Sequence, residues 1–405
     1  MKRLITIIMA LFLYITLFFP VYAEEETYSG TCGENAAWKL ENGVMTISGS
    51  GPMYDYGQAA APYMGYRSII KEVVIEKGIT TVGDNAFFNC QWIEKVSIPD
   101  GIEKIGDYAF WCARPLEEVH LPEGVKTIGE EAFGGCNSLQ TVNIPSTVTA
   151  IGDYAFSVCD LQSLELPDGL KSIGRSAFSE NRSLQSIAIP DTVTEMGSEV
   201  FRSCSGLKSV KLSNAMTSIP ADTFMMCRSL TAITIPASVT EIGSGAFSQC
   251  DSLETIVIPD SVTKIGDYAF ENCEALRNLT IPSTLNNFGI GAFRACTGLA
   301  VNGFVIVNHY LFQYCGEDQI INVPDDVVNI SASAFYGIQA DRVNIPAGVK
   351  RIEQYAFCES VIPEVHFSNG IEYIGSNAFS SSGIESLILP DSIHMLDNSA
   401  FQNSA

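Results

Sequence analysis

The twelve cysteines are the residues in this sequence with the most evident capacity for chemistry. Eight of them lie three residues after a phenylalanine that recurs along the chain. These eight are Cys90, Cys136, Cys159, Cys204, Cys227, Cys250, Cys273 and Cys296. Thiols brought together in this way form disulfides in an oxidising compartment or hold a metal ion. No Cys-x-x-Cys pair is present, and this absence argues against a metal site.

Stacked repeats would place these thiols in a column at the strand spacing of about 4.8 Å. Parallel Cβ vectors keep neighbouring Cβ atoms near that same distance, whereas a disulfide prefers a separation of about 3.8 Å. We therefore predict a buried column of free thiols. Disulfides between neighbouring repeats and metal binding remain the alternatives.

A second column of polar residues lies three positions before the recurring phenylalanine. It contains Asp84, Asp107, Glu130, Asp153 and Asp267. A stack of carboxylates could bind calcium. The same column, however, also holds Arg175, Ser198 and Ser244. Alternation of Asp with Ser suits a cap on a helical turn better than a metal ligand, so we predict capping.

Catalytic candidates are few, because the sequence has only four histidines. Glu364 and His366 on one strand, with Ser386 on the next, have the composition of a hydrolase triad. They would lie on a flat sheet without a loop to stabilise an oxyanion. We therefore predict no catalytic residues, no cofactor and no metal site, with this set as the remaining enzymatic alternative.

The element that would position all of these residues is an internal repeat. Its marker is a phenylalanine, usually preceded by alanine, at intervals of 23 or 22 residues within each run. The two runs are 87, 110, 133, 156, 178, 201, 224, 247, 270 and 293, then 335, 357, 379 and 401. A fixed period of this length is the mark of a leucine-rich solenoid.

Each position of one repeat has a predicted structural role. Residues 253–258 alternate as a strand does, and Pro259 ends that strand because proline cannot donate the next ladder hydrogen bond. Gly266 fits a bend that requires positive φ. Asp267 would cap a helical turn that carries Phe270. A single repeat cannot close a core, so the repeats must stack on one another.

Two segments depart from the repeat. Alternating runs on both sides of Asn42-Gly43 predict a hairpin, which we interpret as part of a β cap over the first strand edge. A second irregular segment interrupts the array after Phe293. The predicted organisation is an N-terminal β cap at 24–63, repeats at 64–300, an irregular repeat with a hairpin at 301–324, and repeats at 325–405.

The N-terminus and the net charge restrict localisation and partners. Residues 1–23 combine Lys2 and Arg3, an apolar run and a Val-x-Ala ending, which predicts a cleaved signal peptide and no membrane insertion afterwards. Removing that segment leaves 21 basic and 46 acidic residues, a net charge of −25. Nucleic acid is excluded as a partner, because phosphate binding requires a basic patch.

The repeat across Cys136 to Phe156 has the form Cys-x-x-Leu-x-x-Val-x-Ile-Pro-x-x-Val-x-x-Ile-Gly-x-x-Ala-Phe. It closely resembles the BspA-like, or treponemal-type, leucine-rich repeat of bacterial surface proteins. The resemblance covers about residues 64–405. It implies a secreted or cell-surface bacterial protein, with adhesion or host interaction as the expected function and no catalytic residues to transfer.

The predicted fold is a β-rich α/β class, a right-handed leucine-rich-repeat solenoid. Parallel strands would form its concave face, and short strands, turns or helical turns its convex side. The outward strand residues are the predicted binding surface for an extracellular protein or glycan. They are Thr141, Asn143, Ser163, Ser186, Ser209, Lys211, Thr234, Thr255, Asn278 and Thr280. A merely solvated sheet face, or a spacer that holds a missing C-terminal module, remains the alternative.

Overall fold

The computed structural model describes residues 27–404. The predicted signal peptide at residues 1–23 lies outside this range. The described chain is a β-solenoid of about 14 turns with parallel strands and almost no helix, which confirms the predicted solenoid class. Its helical content is two short 3₁₀ helices. These are Met64–Tyr66 and Thr297–Leu299.

One row of strands, named ladder A, is built from the Leu-x-x-Val-x-Ile part of each repeat. In each three-residue strand the central residue points towards the core and its two neighbours point outward. The strands of ladder A are β4 (Glu72–Ile75), β6 (Lys95–Ser97), β8 (Glu118–His120), β10 (Thr141–Asn143), β13 (Ser186–Ala188), β15 (Ser209–Lys211), β17 (Ala232–Thr234), β19 (Thr255–Val257), β21 (Asn278–Thr280), β24 (Ile320–Asn322), β26 (Arg342–Ile345), β28 (Glu364–Phe367) and β30 (Ser386–Leu387).

A second row, ladder B, follows the proline turn and contains mostly two-residue strands. Its strands are β5 (Ile79–Val82), β7 (Lys104–Ile105), β9 (Thr127–Ile128), β11 (Ala150–Ile151), β12 (Ser172–Ile173), β14 (Glu195–Met196), β16 (Ser218–Ile219), β18 (Glu241–Ile242), β20 (Lys264–Ile265), β25 (Asn329–Ile330), β27 (Arg351–Ile352), β29 (Tyr373–Ile374) and β31 (Met395–Leu396). Neighbouring strands pair in parallel, so equivalent residues of successive repeats lie side by side.

The third side of each repeat is a column of turns. Two positions in every turn have positive φ, as at Tyr268 (φ 55°) and Asn272 (φ 59°). Alternate N–H groups donate to the next repeat, for example Phe247 N to Ala269 O at 2.7 Å. The predicted helical turn is therefore wrong, because recurring left-handed residues stop a right-handed helix from propagating.

The acidic column acts between repeats. The Oδ1 atom of Asp107 accepts the backbone N–H of Glu130 at 2.9 Å, and Asp267 Oδ1 accepts that of Ile290 at 2.7 Å. Each aspartate thus satisfies a backbone donor at the same position of the following repeat. The predicted capping of a helical turn within its own repeat is wrong, since no helix forms there.

Gly266 does not have the positive φ that we predicted. A Cβ atom at this position would lie 2.5 Å from Ser244 N and 2.8 Å from Gly243 C, both in the preceding repeat. The glycine is required because two backbones approach closely, and not because of a left-handed turn.

The first rung is covered by an antiparallel sheet of β1 (Tyr28–Thr31), β2 (Asn35–Glu41) and β3 (Val44–Pro52). The predicted hairpin forms, and its turn residues Asn42 and Gly43 both have positive φ. Strand β3 then pairs in parallel with β4 and with β5. The one hairpin therefore starts both ladders.

A second hairpin, of β22 (Phe304–Val307) and β23 (Tyr310–Tyr314), separates the two runs of repeats. Its side chains alternate between two hydrophobic cores. Val305, Val307 and Phe312 belong to the first core, whereas Phe304 and Leu311 belong to the second. Strand β23 pairs with β25 and so begins ladder B of the second run of repeats.

The repeat phenylalanines form a buried column through each block. In the first block, rings of successive repeats lie 5.0 to 5.9 Å apart between centroids, in nearly parallel planes. Offset stacking at this separation is favourable for aromatic rings. After Tyr63 and Tyr314, the phenylalanines of this column are the largest fully buried side chains of the described residues.

Candidate functional site

The predicted binding residues lie on the outer surface of ladder A. Nine of the ten are strand residues, and all ten are exposed. Register is kept from rung to rung, as where Thr255 pairs with Asn278 and Val257 with Thr280. The surface is thus a grid of side chains on a hydrogen-bonded backbone.

Ser163 is the exception to the strand assignment. It is exposed but lies in an irregular segment, and ladder A is interrupted between β10 and β13. The repeat from Phe156 to Phe178 is 22 residues long instead of 23. The missing residue lies before the strand position, and the segment makes only scattered bonds to its neighbour, such as Gln162 N to Gln140 O.

Asn143 has a structural role that the sequence did not reveal. Its Oδ1 accepts the N–H of Leu121 at 2.9 Å, and its Nδ2 donates to the carbonyl of Leu121 at 2.8 Å. Both sides of the amide are therefore used by the previous rung. Asn143 consequently has less capacity to bind a partner than the neighbouring Thr141.

Two depressions shape the surface of ladder A. One, of about 390 Å³, is lined by Ser209, Thr234 and Thr255. The other, of about 890 Å³, is lined by residues that include Lys95 and Thr141. The sequence analysis did not include Lys95 in the binding surface. It lies 23 residues, one repeat, before Glu118, and this spacing could have identified it.

The cysteine column is buried and unbridged. The thiol of Cys227 donates to the carbonyl of Phe201 at 3.1 Å, and Cys250 bonds in the same way to Phe224 at 3.2 Å. From Cys136 onward, each thiol of the column therefore links its repeat to the turn of the repeat before. In one repeat Asn181 replaces cysteine and donates to the carbonyl of Phe156.

Burial affects the ionisation of thiols in this column. Desolvation raises the pKa of Cys204 and of Cys90 to about 12, so both thiols stay protonated near neutral pH. At about pH 8, where a free thiol is partly ionised, we expect a thiol reagent to modify the exposed Cys315 rapidly and the half-buried Cys112 slowly. The other ten should react only after denaturation, as measured by absorbance and intact mass.

The Cys315→Ser variant is the control for this prediction, since it should remove the rapid phase alone. Rapid modification of several thiols in the folded protein would contradict a closed column.

The proposed hydrolase set does not form a triad. Glu364 Oε2 lies 2.6 Å from Arg342 Nη2 and 3.5 Å from His366 Nε2. Ser386 is opposite Glu364 in the strand register, whereas His366 is opposite Asn344. Within residues 27–404 no hydrogen bond joins His366 to Ser386. The carboxylate is thus an ion-pair partner of Arg342.

Across the described part of the chain, no group of three or more His, Cys, Asp or Glu side chains is placed to hold a metal ion. Nor does any helix there have the length and apolar character needed to cross a bilayer.

The stacked rungs, the two parallel ladders and the phenylalanine column define a leucine-rich-repeat solenoid. The chain belongs to the BspA type leucine-rich repeat family, whose model matches residues 62–184, 171–300 and 300–405. This confirms the resemblance seen in the repeat sequence. No curated protein sequence is detectably similar to the chain.

Two solved structures show the same fold. A leucine-rich repeat protein from Bacteroides ovatus is 23% identical, with 89% of this chain and 92% of that chain covered and a TM-score of 0.63. A leucine-rich repeat protein from Eubacterium ventriosum is 24% identical, with 94% and 95% covered and a TM-score of 0.56. At these identities the similarity establishes the architecture.

Proposed function

We propose that this protein binds an extracellular protein or glycan through the exposed face of ladder A, as an adhesin or host-interaction protein. The observation that supports this most strongly is the set of exposed, mostly polar side chains held in register within three groups of paired strands, β8 with β10, β13 with β15, and β17 to β21. A preorganised surface loses little conformational entropy on binding.

The chemistry of the grid suits contacts through hydrogen bonds. Hydroxyl groups of Thr141, Ser209, Thr234 and Thr255 both donate and accept, and they serve peptide groups or sugar hydroxyls equally. Val257 adds an exposed apolar side chain to the depression lined by Thr255. A mixed surface of this kind is typical of transient recognition interfaces.

The expected location agrees with this function. The predicted signal peptide at residues 1–23 directs export, and an exported solenoid presents its face to molecules outside the cell. Repeat solenoids commonly use such extended surfaces to bind other macromolecules. Nucleic acid and insertion into a membrane are not part of the proposal.

The test is a binding screen of residues 24–405 against extracellular-matrix proteins and glycans. A face variant carries lysine in place of Thr141, Ser209, Thr234, Thr255 and Thr280. A matched control carries the same added charge on exposed threonines beside ladder B. Those are Thr149, Thr194, Thr217, Thr240 and Thr263.

We expect the face variant to weaken any saturable binding at least about tenfold, and the control to leave it unchanged. Equal binding by both variants would place the partner elsewhere and overturn the proposal. A failure of the wild-type chain to bind any target would favour the role of a structural spacer.

A further inference from the structure

We propose that the cleft between the two blocks of repeats binds an organic cation, a primary ammonium or guanidinium group on an apolar stem. This junction cleft lies on the side of ladder B and has a volume of about 290 Å³. That volume is at the lower end of the range for small-molecule sites. Its principal lining residues are Phe288, Tyr310, Asn329, Glu353, Tyr373 and Asp397.

The cleft exists because ladder B is discontinuous at the internal hairpin. Strand β20 ends one sheet, and β23 belongs to the next. Phe288, which forms a bridge to Ile265, occupies a position that earlier rungs fill mainly with isoleucine. Its ring meets Tyr310 at 5.0 Å and Phe312 at 5.6 Å, both edge to face. These rings form an aromatic wall.

The opposite wall is acidic because the second block departs from the repeat. In the first block the residue after each ladder B strand is almost always glycine. A Cβ atom at this position would collide with the backbone of the preceding repeat. In the second block this position holds Ser331, Glu353, Gly375 and Asp397. Two carboxylates thus occupy a column that holds glycine in most rungs.

The lining residues include two acids and no basic side chain, and the guanidinium of Arg351 borders the cleft at 4.0 Å from the centre of the Tyr373 ring. Glu353 Oε1 accepts from Asn329 Nδ2 at 3.0 Å and from Arg351 Nε at 2.9 Å. Asp397 Oδ2 accepts from the hydroxyl of Tyr373 at 2.7 Å. Each carboxylate retains a second oxygen, so both can still accept a hydrogen bond.

Asn329 supplies an independent indication of a ligand. Its side chain is only 6% exposed and lines the cleft, and Oδ1 accepts no hydrogen bond from residues 27–404. An unsatisfied buried acceptor is rare in folded proteins. The oxygen is closed to solvent, so a donor bound in the cleft would reach it once the amide turns towards the cleft. Because Nδ2 already donates to Glu353, the amide of Asn329 lacks only a donor for its Oδ1 atom.

These features select one class of ligand. Carboxylate and amide oxygens accept, aromatic faces attract cations, and the acidic wall repels anions. Ammonium and guanidinium groups are donors only and carry the complementary charge. The source could be a free polyamine or a lysine or arginine side chain of a protein, since both present the same group.

The experiment is isothermal titration of residues 24–405 with cadaverine, with agmatine and with an acetylated, amidated lysine tripeptide. 1,5-Pentanediol serves as the uncharged isostere of cadaverine. The test variant is Glu353→Gln with Asp397→Asn, which keeps acceptor oxygens but removes both charges. Glu385→Gln, an exposed acid of the same block, is the matched control.

We expect saturable binding of at least one cation with a Kd no weaker than about 1 mM. The double variant should weaken it at least about tenfold, and the diol should not bind. Binding of the tripeptide alone identifies a protein side chain as the source, whereas binding of the diamines identifies free amines. Equal binding of the diol, unchanged affinity in the double variant, or no binding of any cation would overturn the proposal. Circular dichroism checks that each variant is folded.

Discussion

Replacing Phe201 with alanine is expected to lower the free energy of unfolding by about 3 to 5 kcal/mol, the usual cost for a buried aromatic residue. The side chain is fully buried, and its ring stacks between Phe178 at 5.9 Å and Phe224 at 5.7 Å. Its removal leaves a cavity inside a repeat that depends on both neighbours. Urea denaturation followed by circular dichroism measures the loss.

A phenylalanine at the end of the same column provides the control for Phe201→Ala. Phe401 lies in the last rung, is only partly buried, and stacks on one partner, Phe379 at 5.2 Å. Phe401→Ala should therefore cost about half as much or less, since less area leaves the core. Tyr268→Ala, at an exposed position, should be nearly neutral. Equal losses at Phe201 and Phe401 would show that the stack does not carry the stability of the central repeats.

The sequence predicted the solenoid because its strongest signals concern burial. Phe247, Leu253 and Ile256 recur at fixed spacing, and each is buried in the structure. The hairpin at Asn42-Gly43 was also predictable, since that pair favours positive φ at both positions. Such features depend on residues close together in the chain or on a strict period.

The turns were mispredicted because their conformation has no local signature. The left-handed positions contain residues as different as Asn89, Val158 and Met226, with φ between 56° and 62°. What holds them there is hydrogen bonding to the next repeat, such as Val158 N to Ser179 O at 2.9 Å. Bonds between repeats are visible only once the stacking register is known.

The two candidate sites also differ in how far the sequence predicted them. The face of ladder A followed from strand alternation, and only the shortened repeat around Ser163 departs from it. The sequence analysis did not predict the junction cleft, although Glu353 and Asp397 occupy a position at which most other repeats have glycine. Their meeting with Tyr310 depends on how the internal hairpin restarts ladder B. That arrangement is tertiary and has no counterpart in the repeat pattern.

Replacing Gly266 with alanine is expected to cost about 3 kcal/mol, the upper end for overpacking a core. The added Cβ would lie 2.5 Å from Ser244 N and 2.8 Å from Gly243 C. Both are backbone atoms of the preceding rung, to which Gly266 is joined by the hydrogen bond from its N–H to Ile242 O at 2.8 Å. The neighbouring rungs must separate to admit the methyl group. Thermal and urea unfolding of the variant measure the loss.

Gly65→Ala separates this crowding from the general effect of removing a glycine. Nothing lies within 4 Å of a Cβ at Gly65, and its φ is not in the left-handed region. That variant should be neutral or slightly stabilised, because alanine reduces the entropy of the unfolded chain. If Gly266→Ala were equally harmless, the rungs would be free to move apart, and the glycine column would not set their spacing. A large loss at Gly266 alone would explain why this column of the first block is glycine in every rung except that of Pro220, whereas in the second block Glu353 and Asp397 form the acidic wall of the junction cleft.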